Sequence, residues 1–281
     1  YEADADVCEA IDFLAYYADQ AESLLQTRCV DLPGEENRHA YQPRGISLVI
    51  PPWNFPLAIL TGMLSASLVT GNCVILKPAS DTPVVAAQLV ELLAEAGVPP
   101  GVIGFLPGPG SEVGEYLVRH PAVNLIAFTG SLEVGRRIQQ HAAAVGDEQV
   151  RFKKVIAEMG GKNAVIVDSS ADPDEAVSGI LQSAFGFQGQ KCSACSRVIV
   201  LDSLYERICA RLADAADSLI VADPSLPQSE IGPVINGAAK ERILNTIEQG
   251  RQWGSLYHQT DVFSHTGGHY VAPTLFRDVA P

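Results

Sequence analysis

Five short segments hold the side chains best suited to chemistry. In Gly189-Gln190-Lys191-Cys192-Ser193-Ala194-Cys195-Ser196-Arg197 the thiol of Cys192 follows a lysine, with a glycine and a glutamine just upstream. That setting is compatible with an exposed thiol whose nucleophilic thiolate form is favoured. Cys192 and Cys195 also form a CxxC. A zinc site would need a second ligand pair, and no Cys or His pair lies at suitable spacing from this one, so no metal is expected and Cys195 reads as a small packing residue. Glu158 ends an apolar run before Met159-Gly160-Gly161, placing a carboxylate at a strand end, where it can move a proton or simply face solvent. Asn54 lies in Pro52-Trp53-Asn54-Phe55-Pro56, a turn stiffened by prolines, where its amide can brace the turn or serve a substrate. Lys77 closes another apolar run and precedes Pro78-Ala79-Ser80. Gly130 to Gly135 is GxxxxG, not the dinucleotide GxGxxG, and alone it is equally well a strand-to-helix turn. Its place between a strand and a helix nevertheless puts backbone N–H groups and a positive dipole end where a pyrophosphate can sit.

Holding these groups requires alternating strands and helices. Val7, Ile11, Leu14 and Ala18 recur at helical spacing and predict a first helix with an apolar stripe. A polar stretch over 33–41 then leads into a strand over 45–50. A helix after Pro56 is followed by a strand at 72–76, a helix at 83–96, a strand at 102–106, a helix at 111–119, a strand at 123–128 and a helix at 131–144. The strands are apolar throughout rather than alternating, which predicts a parallel sheet covered on both faces, with ligands bound outside the carboxyl ends of its strands. A second run of elements opens near Lys154, with strands at 154–157, 164–167 and 198–201, helices at 172–187, 204–218 and 238–249, a loop at 224–233, and strands and turns to the end. No internal repeat or low-complexity segment is present.

Composition narrows the class. Hydrophobic residues at 47% and charged residues at 19% argue against a disordered chain. The formal charge of −14 disfavours nucleic acid or an anionic membrane as partner. The most apolar stretch, 57–76, is interrupted by Thr61, Ser65, Ser67, Thr70, Gly71 and Asn72, and so reads as a buried helix running into a strand rather than a membrane span. Six scattered cysteines lack the density of a disulfide scaffold and point to a reducing compartment.

In order and spacing the five segments resemble the signatures of the aldehyde dehydrogenase superfamily: the PWNFP turn, the KP strand end, FTGSxxVG, ExGGK and GQxC. Cys192 follows Glu158 by 34 residues, the usual separation of nucleophile and base there. The resemblance runs through essentially the whole chain, to Gly268-His269-Tyr270-Val271-Ala272-Pro273-Thr274-Leu275. Within the superfamily, Gly189 to Arg197 and Glu158 to Asn163 resemble the L-glutamate γ-semialdehyde (1-pyrroline-5-carboxylate) dehydrogenases.

The resemblance implies an α/β protein with a Rossmann-like NAD-binding domain at 1–159, an oligomerisation strand region near 35–44, and an α/β catalytic domain at 160–281. It implies Cys192 as nucleophile, Glu158 as general base and Asn54 as oxyanion donor. Trp53, Lys77, Ser80, Gly130 and Ser131 would contact NAD, and Ser193 would help hold the substrate carboxylate. Many NAD-preferring relatives carry Glu where this chain has Ser80, so NADP use stays open. The implied partners are a small aldehyde and further copies of the full-length chain, the dehydrogenase being either a separate enzyme or fused to a proline dehydrogenase domain, in a cytoplasmic or, for a eukaryote, mitochondrial matrix setting. The first helix opens in mid-pattern, and the end falls before the family's usual E-x-F-G-P segment. The expectation is therefore a chain cut short at both ends, binding NAD weakly and turning over poorly by itself. Two readings compete: another semialdehyde or aldehyde dehydrogenase, and a non-catalytic protein that keeps the fold.

Overall fold

The computed structural model describes residues 1–261 and 267–279. Its backbone divides into two compact units, Tyr1–Met159 and Gly160–Pro281.

The first unit opens with α1 (Glu2–Leu24). The stripe Val7, Ile11 and Leu14 expected from sequence is exposed, and a different face, with Ala10 and Ala21 buried, packs on α2 (Ala58–Val69). The small side chains allow close approach: a Cβ on Gly62 of α2 would meet the Phe13 ring at 3.1 Å. Asp6 accepts hydrogen bonds from Leu57 N and Ala58 N at 3.1 and 3.0 Å, so a residue of α1 satisfies the free amides that start α2. Two short antiparallel strands form here, β1 (Arg28–Cys29) just before the polar stretch and β2 (Arg38–His39) within it.

Five parallel strands follow: β3 (Ile46–Ile50), β4 (Cys73–Leu76), β5 (Ile103–Phe105), β6 (Val123–Gly130) and β7 (Lys154–Met159). Their spatial order is β5-β4-β3-β6-β7. The run opening at Lys154 thus begins as the edge strand of this first sheet, and Met159 pairs with Gly130. α2 and α3 (Pro83–Glu95) bury Leu60, Leu64, Ala86 and Leu89 with Val49, Val74, Leu76 and Ala127 on one face. α4 (Glu115–Arg119) and α5 (Leu132–Ala143) bury Leu117, Val118, Ile138 and Ala142 with Leu48, Val123, Ile126 and Phe128 on the other. Leu48 is fully buried, and such a side chain contributes about 1.5–3 kcal/mol. The helix expected at 111–119 begins as a wide π-helical turn, Gly110–Gly114, bounded by two glycines, whose low helix propensity weakens the regular winding there.

The second unit contains the parallel pair β8 (Asn163–Val167) and β9 (Cys195–Val200), and the antiparallel pair β10 (Ser255–Gln259) and β11 (Thr274–Arg277). α6 (Pro173–Phe185) is capped by Asp172, whose carboxylate accepts from Asp174 N at 2.8 Å. It packs with α7 (Asp202–Asp217) around Val167, Ile180 and Ile208, while α8 (Gly237–Gly250) lies further along the chain. The helix expected to reach 187 stops at Phe185, and a tight turn, Gly186–Gly189, follows. Strands and turns after 250 are present as β10 and β11; residues 262–266 lie outside the described ones. Among the described residues no helix is long and apolar enough to cross a membrane.

Candidate active site

In the first unit the strand order locates the ligand edge. From β3 the chain steps outward to β4 and β5, then returns to place β6 on the other side of β3. Such a reversal splays the connections after the two central strands apart, leaving a crevice at their carboxyl ends. The connection after β3 carries Trp53 and Asn54, both half-buried, and the one after β6 carries Gly130 and Ser131. Ser131 caps α5, its Oγ accepting from Val134 N at 3.3 Å, and α5 presents its remaining first-turn amides beside it. A Cβ on Gly130 would fall 2.6 Å from Phe128 Cζ, so this turn requires glycine for close approach of backbone to ring.

Lys77 and Ser80 lie on the connection after β4, with Ser80 exposed. Lys77 is only 4% exposed, and its Nζ donates to Pro78 O at 3.0 Å. Burial lowers the pKa of its amine from the usual 10.5. An ammonium has three donors, and one carbonyl leaves directions open for a polar ligand. Those donors and the α5 amides fit a nucleotide cofactor with ribose hydroxyls and phosphate oxygens. Along α5 runs an open groove of about 530 Å³ lined by Leu132, Glu133, Arg136, Arg137 and Gln140. Glu158 is exposed near the end of β7, paired with Thr129.

In the second unit Cys192 and Ser193 are exposed on the turn entering β9, while Cys195 is buried with its Sγ against Arg197 O at 3.3 Å. Phe187 and Gln188 adopt left-handed φ values of 55° and 56°, followed by Gly189 at 66°. Left-handed backbone in non-glycine residues is strained and clusters at functional sites. The Lys191 amine lies 5.5 Å from the centroid of the Phe187 ring. Asn163 donates its Nδ2 to Cys192 O at 2.7 Å and to Ala194 O at 3.2 Å.

The structure therefore gathers Trp53, Asn54, Lys77, Ser80, Gly130, Ser131 and Glu158 at the carboxyl ends of one sheet, and sets Cys192 with Ser193 on a turn of the other unit. Sequence reasoning missed Asn163, although it stands in the Glu158–Asn163 segment, and it missed the glycine-rich connection after β5. There a Cβ on Gly114 would lie 4.0 Å from Lys77 Cε. The run Gly108-Pro109-Gly110 was the available signal.

A doubly wound parallel sheet with a lysine and a helix N-terminus at its crevice, in a chain whose other unit presents a thiol on a strained turn, belongs to a defined class. The chain is a member of the aldehyde dehydrogenase family, whose model matches residues 1–281. It is 50% identical over 281 residues to a 1-pyrroline-5-carboxylate dehydrogenase of Geobacillus kaustophilus, covering all of this chain and 54% of that protein. It is 48% identical over 285 residues to 1-pyrroline-5-carboxylate dehydrogenase 2 of Bacillus subtilis, again covering 54% of it. Among solved structures, a Thermus 1-pyrroline-5-carboxylate dehydrogenase with bound NAD matches at 46% identity and a TM-score of 0.95, over 99% of this chain and 54% of that one. Proline utilization A of Bdellovibrio bacteriovorus matches at 50% identity and a TM-score of 0.95, over 98% of this chain and 29% of that one. The chain spans about half the length of the curated relatives it matches.

Proposed function

We propose that the protein carrying this chain oxidises L-glutamate γ-semialdehyde, derived from 1-pyrroline-5-carboxylate, to L-glutamate with NAD in proline catabolism. The observation that carries this reading is 50% identity along all 281 residues to a dehydrogenase of that name. The exposed thiol of Cys192 supports it. Tyr1–Met159 is read as the NAD-binding unit and Gly160–Pro281 as part of the catalytic unit.

Cys192 Sγ attacks the aldehyde carbon, forming the C–S bond as the carbonyl π pair moves onto oxygen. The Asn54 amide and the Cys192 N–H are assigned to that oxyanion; removing one such donor commonly costs about 10²–10³ in rate. Ser193 helps hold the substrate carboxylate. Lys77 and Ser80 are assigned to the adenosine ribose, Gly130 and Ser131 to the pyrophosphate, and Trp53 to the nicotinamide half. Bound there, NAD supplies the acceptor for the hydride whose departure leaves a thioester on Cys192. Glu158 then takes a proton from water as the water oxygen attacks the thioester carbon, and the C–S bond breaks to release glutamate and restore the Cys192 thiolate.

Six free cysteines fit a cytoplasmic setting. Similarity to proline utilization A supports a proline dehydrogenase domain in the same polypeptide, and the region near 35–44, which holds β2, is assigned to contacts between copies of the full-length chain. The test is NADH production from 1-pyrroline-5-carboxylate by the full-length protein, with NADP and an unsubstituted aliphatic aldehyde in parallel. Preferential turnover of 1-pyrroline-5-carboxylate, abolished in Cys192→Ala, is expected. Wild-type turnover in that variant, or faster oxidation of the aliphatic aldehyde, would overturn the reading.

A further inference from the structure

Both flanks of the turn bearing Cys192 are tied down by side-chain carboxamides. Upstream, Gln190 Oε1 accepts from Ile235 N at 3.0 Å. Gln188, with its carboxamide oxygen toward Gly232, accepts from Gly232 N at 3.0 Å and donates to Phe187 O at 3.3 Å. These bonds attach the left-handed segment to the chain at 232–235. Downstream, Asn163 reaches across from the start of β8 and uses one amide nitrogen to hold two carbonyls of the turn, Cys192 O at 2.7 Å and Ala194 O at 3.2 Å. The backbone of Asn163 is itself fixed, paired with Cys195 beside a bulge and with its carbonyl accepting from Ser196 Oγ at 3.3 Å. The turn is also closed internally, Ala194 N donating to Lys191 O at 3.2 Å.

From this geometry we infer that Asn163 is a positioning residue for the nucleophile. It locks the Cys192–Ala194 backbone so that the Cys192 N–H and Cα–Cβ bond keep one orientation while the thiol stays exposed. The inference rests on Cys192 being the nucleophile. The pinned peptide contains the carbonyl of Cys192 itself, so a freed turn tilts the thiol and the N–H together. Displacing a reacting group by about 1 Å can cost about 10²-fold in rate.

The test uses the full-length enzyme and the variants Asn163→Ala, Asn163→Asp and Cys192→Ala. Asp fills the space of Asn but turns an acceptor toward two carbonyls, so a space-filling role would tolerate it and a donating role would not. Asn163→Ala and Asn163→Asp are both expected to lower kcat about 10- to 100-fold and to change the rate at which iodoacetamide alkylates Cys192. The NAD dissociation constant should stay within about twofold, and the melting temperature within about 8 °C of wild type, the shift expected for two lost hydrogen bonds. Wild-type kcat in Asn163→Asp, or a kcat loss matched by an equal loss of NAD affinity, overturns the inference. If Cys192→Ala keeps turnover, the functional reading falls with it. If Cys192→Ala is inactive while both Asn163 variants turn over normally, the inference alone falls.

Discussion

Adding one methyl at Gly130 probes the turn between β6 and α5. Alanine there would place its Cβ 2.6 Å from Phe128 Cζ and 2.9 Å from Cε2. The ring cannot swing aside cheaply, because Phe128 is 4% exposed and packs among Leu48, Ile126 and Ile138. Two effects oppose each other. Gly→Ala stabilises by about 0.4–1 kcal/mol through the unfolded chain, since the backbone at Gly130 is not left-handed. Overpacking a filled core costs about 1–3 kcal/mol. The clash is deep and the neighbour aromatic, so the second effect wins, and a net loss of about 1–2 kcal/mol is expected, about 2–8 °C in melting temperature. NAD binding should weaken as well, because Gly130 is itself assigned to the pyrophosphate and directly precedes Ser131. The decisive assay is a double-mutant cycle in urea with Phe128→Leu, which removes ring atoms at the clash. Each single change should destabilise, and the double should cost about 0.5–2 kcal/mol less than their sum. Strict additivity would refute the clash as the reason for glycine at this position.

Other predictions test separate features. Lys77→Met should weaken NAD binding about 10- to 100-fold, the worth of a charge-assisted hydrogen bond or two, measured by titration of the full-length protein. It should also change stability against pH. Because burial lowers the folded-state pKa, the unfolded chain holds that proton more tightly between the lowered value and 10.5, so wild-type stability gains with rising pH across that window. The buried charge carries its full desolvation cost below the window, and Lys77→Met should flatten the alkaline gain. Asp172→Ala removes the cap of α6 and should cost about 1 kcal/mol in urea unfolding, with kcat unchanged.

Much of the first unit was legible because its strands are largely apolar runs closed by Gly, Pro or Lys, as in Val123–Gly130 and Cys73–Leu76 followed by Lys77-Pro78. The face of α1 was not. Periodicity marks which residues are apolar, while α2 selects the face whose small residues, Ala10 and Ala21, permit close packing. β1 and β2 are two residues each, too short for any alternation to register. The left-handed backbone at Phe187 and Gln188 carries no compositional mark, since neither is Gly or Asn. Asn163 was within a segment already singled out, but its function depends on carbonyls 29 residues away, which no local spacing encodes.

The strained turn before Cys192 also bears on how such a chain responds to selection. Phe187 and Gln188 each hold a conformation costing about 1–2 kcal/mol that glycine would adopt freely. A laboratory evolution campaign scored on heat resistance alone would therefore reward glycine at 187 and 188. The same substitutions would delete the Gln188 tether to Gly232 and enlarge the conformational freedom of the segment leading to the thiol. Thermal tolerance and turnover are set against each other at these two positions, so a screen that reads both should retain Phe187 and Gln188 where a screen for melting temperature discards them.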